Sequence, residues 1–276
     1  MKPAVFDYVR PQDLAEATGI LSKIEGARLL AGGQSLGPML NLRLARPELL
    51  IDISQLDELK RFEDTGKSWQ IGSAITHAQL EDAGEALGTS MMIVEVASDI
   101  AYRSVRNRGT VGGSLAHADP AADWPLVFSA LDAVIHVRGH KSRVRQIAAD
   151  NFLRAAFTTE LRQDEIIEFV DVPKPSPSAR CGYFKFCRKA GDFPEASAAV
   201  VVDPDAGRSR IFIGALAGAP KPLAEVAKAV AAHGPGAATE DSLSAAIATA
   251  IPDFDSVAVR MHAATVQRAI QKAFSK

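Results

Sequence analysis

Residues 173–178 read Pro-Lys-Pro-Ser-Pro-Ser, three prolines alternating with polar residues. Proline donates no backbone hydrogen bond and fixes its own φ, so neither a helix nor a central strand runs through this stretch. The chain is therefore expected to fold as two units, residues 1–175 and 176–276. Its 276 residues suffice to bury a sizeable core.

On either side of that break the apolar spacing switches between helical and strand periods. Ahead of it, the spacing predicts a helix over 14–24 and strands over 27–30, 49–53 and 68–72. A capped helix starts at Thr76, and further helices are expected over 91–100 and 126–131. Strands over 133–138 and 165–172 lead into the prolines. Beyond them come three strands, 183–186, 197–202 and 210–216. Alanine-rich helical sequence follows from Pro222, with clear helical spacing over 257–274.

Charge excludes several classes of partner. Basic side chains number 31 against 33 acidic ones, so no broad positive field exists to hold nucleic acid or an anionic membrane. Two cysteines, Cys181 and Cys187, are too few for a disulfide framework or the four thiolates that usually hold an iron–sulfur cluster. No apolar run approaches the roughly 20 residues of a membrane span, and the first residues lack a signal-peptide core. The expectation is a cytoplasmic protein without membrane insertion.

Two glycine segments carry the chemistry. The first, LAGGQSLGPMLN over 30–41, is either a tight strand-to-helix bend or a phosphate cradle. A dinucleotide fingerprint would need G-x-G-x-x-G with an acidic residue about 20 positions on. Here the glycines fall as G-G-x-x-x-G, and Pro38 interrupts the would-be helix start, although Asp52 is tolerably placed. The second segment, 107–125, again pairs glycines with hydroxyl residues in Thr110-Val111-Gly112-Gly113-Ser114. Two turns of successive N–H groups, uncrowded by Cβ atoms, are able to clamp both phosphates of a pyrophosphate without a lysine.

Three segments in order, AGGQSLGPMLNLRLARPELLIDI, TVGGSLAHADPAADWP and FKFCRKAGDFPEASAAV, give the chain a family resemblance over essentially its whole length. It resembles the FAD-binding middle subunit of the molybdenum hydroxylases, the family of the xanthine, nicotine and carbon monoxide dehydrogenases. That resemblance implies an α+β fold. A two-part FAD-binding domain of the vanillyl-alcohol-oxidase type would occupy 1–175, its subdomains split near 55, and a small α+β domain of three strands plus helices would occupy 176–276. FAD would be bound without a covalent link. Molybdopterin and [2Fe–2S] centres would belong only to partners, a large and a small subunit, in a dimer of heterotrimers. The chain would take electrons from the [2Fe–2S] centres and pass them to a terminal acceptor. The alternative is a self-sufficient FAD-dependent oxidoreductase acting on a small organic substrate.

Carried over residue by residue, the resemblance places Leu30, Ala31, Gly32, Gly33, Gln34 and Ser35 on the FAD pyrophosphate, with Leu36 and Gly37 beside it. Carbon monoxide dehydrogenases typically have His where Gln34 stands, which points away from that substrate. Thr110, Gly112, Gly113 and Ser114 match a second phosphate and ribose loop. Asp123 matches an acidic residue at the adenosine-side sugar; Asp119 either shares that work or simply makes an Asp-Pro turn. Ile100 and Ile167 match apolar positions against flavin or adenine, or are plain core. Lys185, among Tyr183, Phe184 and Phe186, is either an edge-strand solubiliser or a cation at the isoalloxazine pyrimidine edge. Phe193 matches an aromatic often near the flavin.

Other groupings lead nowhere. His117 with Asp119 and Asp123 lacks a second histidine at metal-ligand spacing. His77, His117 and His136 lie in no context recognised for covalent flavin attachment. The basic loop 103–108 is a solvated turn, a phosphate contact or a partner surface. No residue is expected to act as a catalytic acid, base or nucleophile.

Overall fold

The computed structural model describes residues 2–275 and shows a mixed α+β chain built on three principal sheets. The first unit contains β1 (Asp7–Val9), α1 (Leu14–Leu21), β2 (Arg28–Leu30), α2 (Leu36–Asn41) and β3 (Leu49–Asp52). Its strands are parallel in the order β1-β3-β2, and the central β3 is buried at all four positions. Asp13 caps α1 by accepting the Glu16 N–H, and Leu14, Ala17 and Leu21 pack onto Ile51 and Leu59.

The second part runs through β4 (Phe62–Asp64), β5 (Ser68–Gly72), α3 (His77–Ala83), α4 (Met91–Asp99), α5 (Arg103–Arg106), α6 (Val111–His117), α7 (Asp123–Ala130), β6 (Val134–Gly139), β7 (Arg143–Ala148), β8 (Leu153–Ala155), β9 (Thr158–Thr159) and β10 (Ile166–Pro173). Five strands form an antiparallel sheet in the order β4-β5-β10-β6-β7, and β10 is bulged between Ile167 and Phe169. The stacked rings of Trp124 and Phe128 sit in the core between this sheet and its helices. At α3 the expected cap at Thr76 is present, and with Gln79 it forms a reciprocal capping box.

The third part contains β11 (Arg180–Phe186), β12 (Ala196–Asp203), β13 (Arg208–Gly214), β14 (Lys221–Pro222), α8 (Ala224–His233), α9 (Glu240–Ala250) and α10 (Ser256–Phe274). The short β14 adds a fourth strand to the expected three, in the order β11-β12-β13-β14. All eight residues of β12 are buried, because the strand faces two cores. Ala199 and Val201 join the Trp124 core, whereas Ala198, Val200 and Val202 face the helices of the third part. A Cβ on Gly182 would lie 2.7 Å from Ala273 N, so only glycine lets α10 lie this close to β11.

The proline segment is tied down at both ends. The buried Asp203 accepts the N–H and hydroxyl of Ser176 at 3.0 and 2.6 Å, and the Lys174 N–H donates to Lys67 O at 2.9 Å. Three expectations are corrected. Pro38 does not stop a helix, since it lies in the first turn of α2 where its missing N–H leaves no bond unmade. Residues 103–106 of the basic loop are helical. The second glycine segment is not a loop, because Thr110 caps α6 through the Gly113 N–H. Among the described residues no helix is long and apolar enough to cross a membrane.

Candidate functional site

The first glycine segment leaves the carboxyl end of β2, and Leu30 O accepts the Ile53 N–H at 2.9 Å. Gly33 has φ +71°, in the left-handed region, which lets the chain double back so that the Gly37 N–H reaches Gly33 O at 2.9 Å. Among the described residues no acceptor meets the N–H groups of residues 32–36. Five consecutive N–H groups, from Gly32 to Leu36, are thus left without a protein acceptor on a half-buried to exposed turn, donors of the kind an anion takes. Ser35, at the start of α2, makes no side-chain cap, and Gln34 folds its amide onto Gly32 O at 3.2 Å. A Cβ on Gly37 would meet nothing within 4 Å, so this side of the cradle is open.

The two glycine segments abut. A Cβ on Gly32 would lie 2.9 Å from Gly109 Cα and 2.7 Å from the Arg108 carbonyl carbon. The second segment, however, does not offer a matching row of free N–H groups. Val111 donates to Ile75 O (3.0 Å), Gly112 to Ser73 O (2.9 Å), Gly113 to Thr110 Oγ1 (3.1 Å) and Ser114 to Thr110 O (3.0 Å). Gly112 is required for packing, since its Cβ would lie 2.8 Å from Ser73 O. What this segment presents is half-buried: Gly113 and the side chain of Ser114. Asp119 makes the Asp-Pro turn, its Oδ1 accepting the Ala121 N–H at 2.9 Å.

Lys185 lies on the edge strand β11, yet its side chain is only 7% exposed, which removes the solubiliser reading. Strand alternation turns Tyr183 and Lys185 to the α7 side, while Phe184 faces the C-terminal helices, where Arg268 stacks over its ring. The Lys185 ammonium donates to Asp99 O at 2.8 Å and lies 3.4 Å from Asp123 Oδ1, which also accepts the Tyr183 hydroxyl. Burial pushes the Asp123 carboxyl above its ordinary value, and the Lys185 charge pulls against that rise. Burial and the adjacent carboxylate push Tyr183 well above 10, so the phenol remains a donor. The contact makes Asp123 and Lys185, two separate candidates in the sequence, one ion pair.

The remaining candidates are more scattered. Ile167 is 4% exposed within the central core, and Ile100, half-buried, ends α4 against the same core. Phe193 is 66% exposed, on a loop whose Gly191 (φ +85°) approaches Ala101 so closely that a Cβ would lie 2.7 Å from Ala101 O. His77 is buried and accepts the Trp124 indole N–H at Nδ1 (3.2 Å); burial lowers its pKa to about 4. His117 packs on Phe157 and His136 stacks on Phe169. Among the described residues no three His, Cys, Asp or Glu side chains cluster as a metal site. Sequence reading misses Gly109, Tyr183 and the Asp99 carbonyl. Gly109 lies within segment 107–125 and Tyr183 stands just before the third segment, but only the fold shows that they touch Gly32 and Asp123.

Residues 4–175 match the family described as the FAD binding domain in molybdopterin dehydrogenase. The nicotine 6-hydroxylase medium subunit of Paenarthrobacter nicotinovorans is 37% identical over 221 residues, 79% of this chain and 77% of that protein. The crystal structure of the cyanide-inactivated Cu,Mo-CO dehydrogenase superposes with a TM-score of 0.91 at 30% identity, covering 99% of each chain. Quinoline 2-oxidoreductase from Pseudomonas putida 86 gives a TM-score of 0.89 at 28% identity, over 99% of this chain and 98% of that one.

Proposed function

Because the chain belongs to the family of FAD-binding domains of molybdopterin dehydrogenases, we propose that it is the flavin-carrying electron-transfer subunit of a heterotrimeric molybdenum hydroxylase. Electrons would arrive from [2Fe–2S] centres on a small partner subunit and leave to a terminal acceptor, while a large subunit holds molybdopterin and the substrate. FAD is the cofactor, and when bound it supplies reversible one- and two-electron chemistry. Relatives are named for nicotine, caffeine and carbon monoxide. Such variety on one fold fits a subunit that does not itself select the substrate. The FAD-binding unit would be residues 1–175 and the small C-terminal unit 176–276.

The observation that carries this reading is the run of N–H groups at residues 32–36 with no acceptor among the described residues, set directly against the second glycine segment. In it, the backbone from Leu30 to Gly37 would hold the pyrophosphate. The Ser114 and Thr110 hydroxyls and the Gly113 backbone would border it, Gly112 serving by its close packing. Asp119 has a second carboxylate oxygen to offer a sugar hydroxyl. Lys185, with Asp123 behind it, would set positive charge against the flavin pyrimidine edge. There it would favour the negative charge gained on reduction. Ile100 and the exposed Phe193 lie on the two chain segments that meet beside Lys185, and Ile167 would support the ring from the core.

Gly33→Asp puts a side chain on a left-handed backbone and a negative charge in the cradle. The purified variant should lose the flavin absorbance at about 450 nm while its circular dichroism keeps the wild-type shape. Retention of FAD at wild-type stoichiometry would sink the cradle assignment. Identification of the proteins that copurify from the native source tests the subunit reading; absence of molybdenum- and iron-containing partners would overturn it.

A further inference from the structure

Lys185 is held by a strained corner of the chain. Between α4 and α5 the backbone turns so sharply that Ala101 has φ +45°, a left-handed conformation that alanine adopts only under restraint. The restraint is Arg106. Its Nη1 donates to Ile100 O at 3.0 Å and Ala101 O at 2.9 Å. Its Nε and Nη2 grip both oxygens of Glu81 on α3 at 2.8 and 3.0 Å, a bidentate pair of the strong kind. The Arg106 side chain is 11% exposed, so these bonds form largely out of water. Immediately before this corner, Asp99 O receives Lys185. On its far side, Gly191 packs against Ala101.

An ammonium has three protons. Asp99 O and Asp123 Oδ1 take two of them, and the direction of the third is set by where those acceptors lie. We propose that Arg106, anchored by Glu81, is a positioning residue for Lys185: by holding the corner at 99–101 it aims the third ammonium proton at the flavin. The proposal rests on the reading that Lys185 faces the pyrimidine edge. Arg106 itself touches neither cofactor nor substrate. Its effect reaches the flavin through one carbonyl, whose position depends on the corner. Releasing the corner lets Ala101 relax and withdraws the Asp99 carbonyl from Lys185.

The test uses the native complex with FAD bound. The flavin midpoint potential is measured by spectroelectrochemical titration in wild type, Lys185→Met, Arg106→Gln and the double variant. Lys185→Met should shift the potential in the negative direction, and Arg106→Gln should shift it the same way by less. The double variant should match Lys185→Met alone, since no ammonium remains to be misaimed. Glu81→Gln, which loosens the anchor without touching the corner carbonyls, should reproduce the Arg106→Gln shift, and it carries the comparison if Arg106→Gln does not fold. A purely structural Arg106 would lower the melting temperature and leave the potential at the wild-type value, which overturns the proposal. So would full additivity in the double variant. If Lys185→Met itself leaves the potential unmoved, the flavin-facing reading of Lys185 fails and the proposal falls with it.

Discussion

Buried ionisable groups near the site are held in defined charge states, and each has an identifiable cause. Lys185 stays compensated through Asp123 and a carbonyl, and removing either charge of such a buried pair usually costs about 3–5 kcal/mol. His77 shows the opposite solution: it stays neutral, accepting the Trp124 N–H, with a pKa lowered to about 4 by burial and, next, by Arg106. An unfolded histidine titrates near 6.5, so His77 contributes stability that is complete above that value. The contribution is lost as pH falls through the window toward 4, up to about 3 kcal/mol. Denaturant unfolding of wild type and His77→Gln between pH 7 and 4 should therefore give curves that converge on acidification. Parallel curves would show that His77 titrates normally in the fold. The residue identities around Lys185 were legible from sequence, but the pairing with Asp123 was not, because 62 positions separate the two in the chain.

At the scale of elements, the short helices of the site owe their existence to tertiary contacts. Strand β12 and helix α10 are legible from periodicity, the first by continuous burial and the second by an Asp255 cap followed by an amphipathic run. Helices α2 and α6 are not legible, because six or seven residues that include glycines, or glycine and proline, have poor intrinsic helicity. The start of α6 is fixed by N–H bonds to the Ser73 and Ile75 carbonyls, partners that no local pattern reveals. Two glycine substitutions separate packing from binding. Gly32→Ala would drive a methyl into the Arg108–Gly109 backbone and should lower both stability and FAD retention. Gly37→Ala meets open space inside a helix, so stability should hold or rise by about 0.5–1 kcal/mol while FAD affinity falls. Thermal melts paired with flavin titration distinguish the two, and unchanged affinity in Gly37→Ala would remove Gly37 from the site.

For the whole molecule, the proline segment marks a change of sheet but does not separate two independent bodies. Tyr183, Ala199, Val201 and Phe212, all beyond the prolines, belong to the same core as Trp124 and Phe128. Arg210 on β13 donates to Ser129 O at 3.1 Å and pairs with Asp150 at 2.7 Å, stitching the third part to the second. A fragment ending at residue 175 would expose that face of the core. It should therefore show weak near-ultraviolet circular dichroism and rapid amide exchange relative to the full chain. A fragment with native-like exchange protection would show that the FAD-binding unit folds alone. The sequence marks 173–178 as a break in secondary structure, and no helix or strand spans 174–179; the sequence is silent on packing because shared burial leaves no local signature.

The abutment of Gly32 against Arg108 and Gly109 also sets a timetable for biosynthesis. Domains fold as the chain emerges from the ribosome, amino-terminal parts first. The glycine turn after β2 is made early, but the surface against which it rests is encoded 76 to 77 positions later. Lys185 comes later still. Until residues 108 and 109 emerge, a nascent chain therefore displays the glycine turn without the backbone on which it rests. On the proposed reading, a dinucleotide met before then would find only half of its seat, so capture of the cofactor would wait for the second segment.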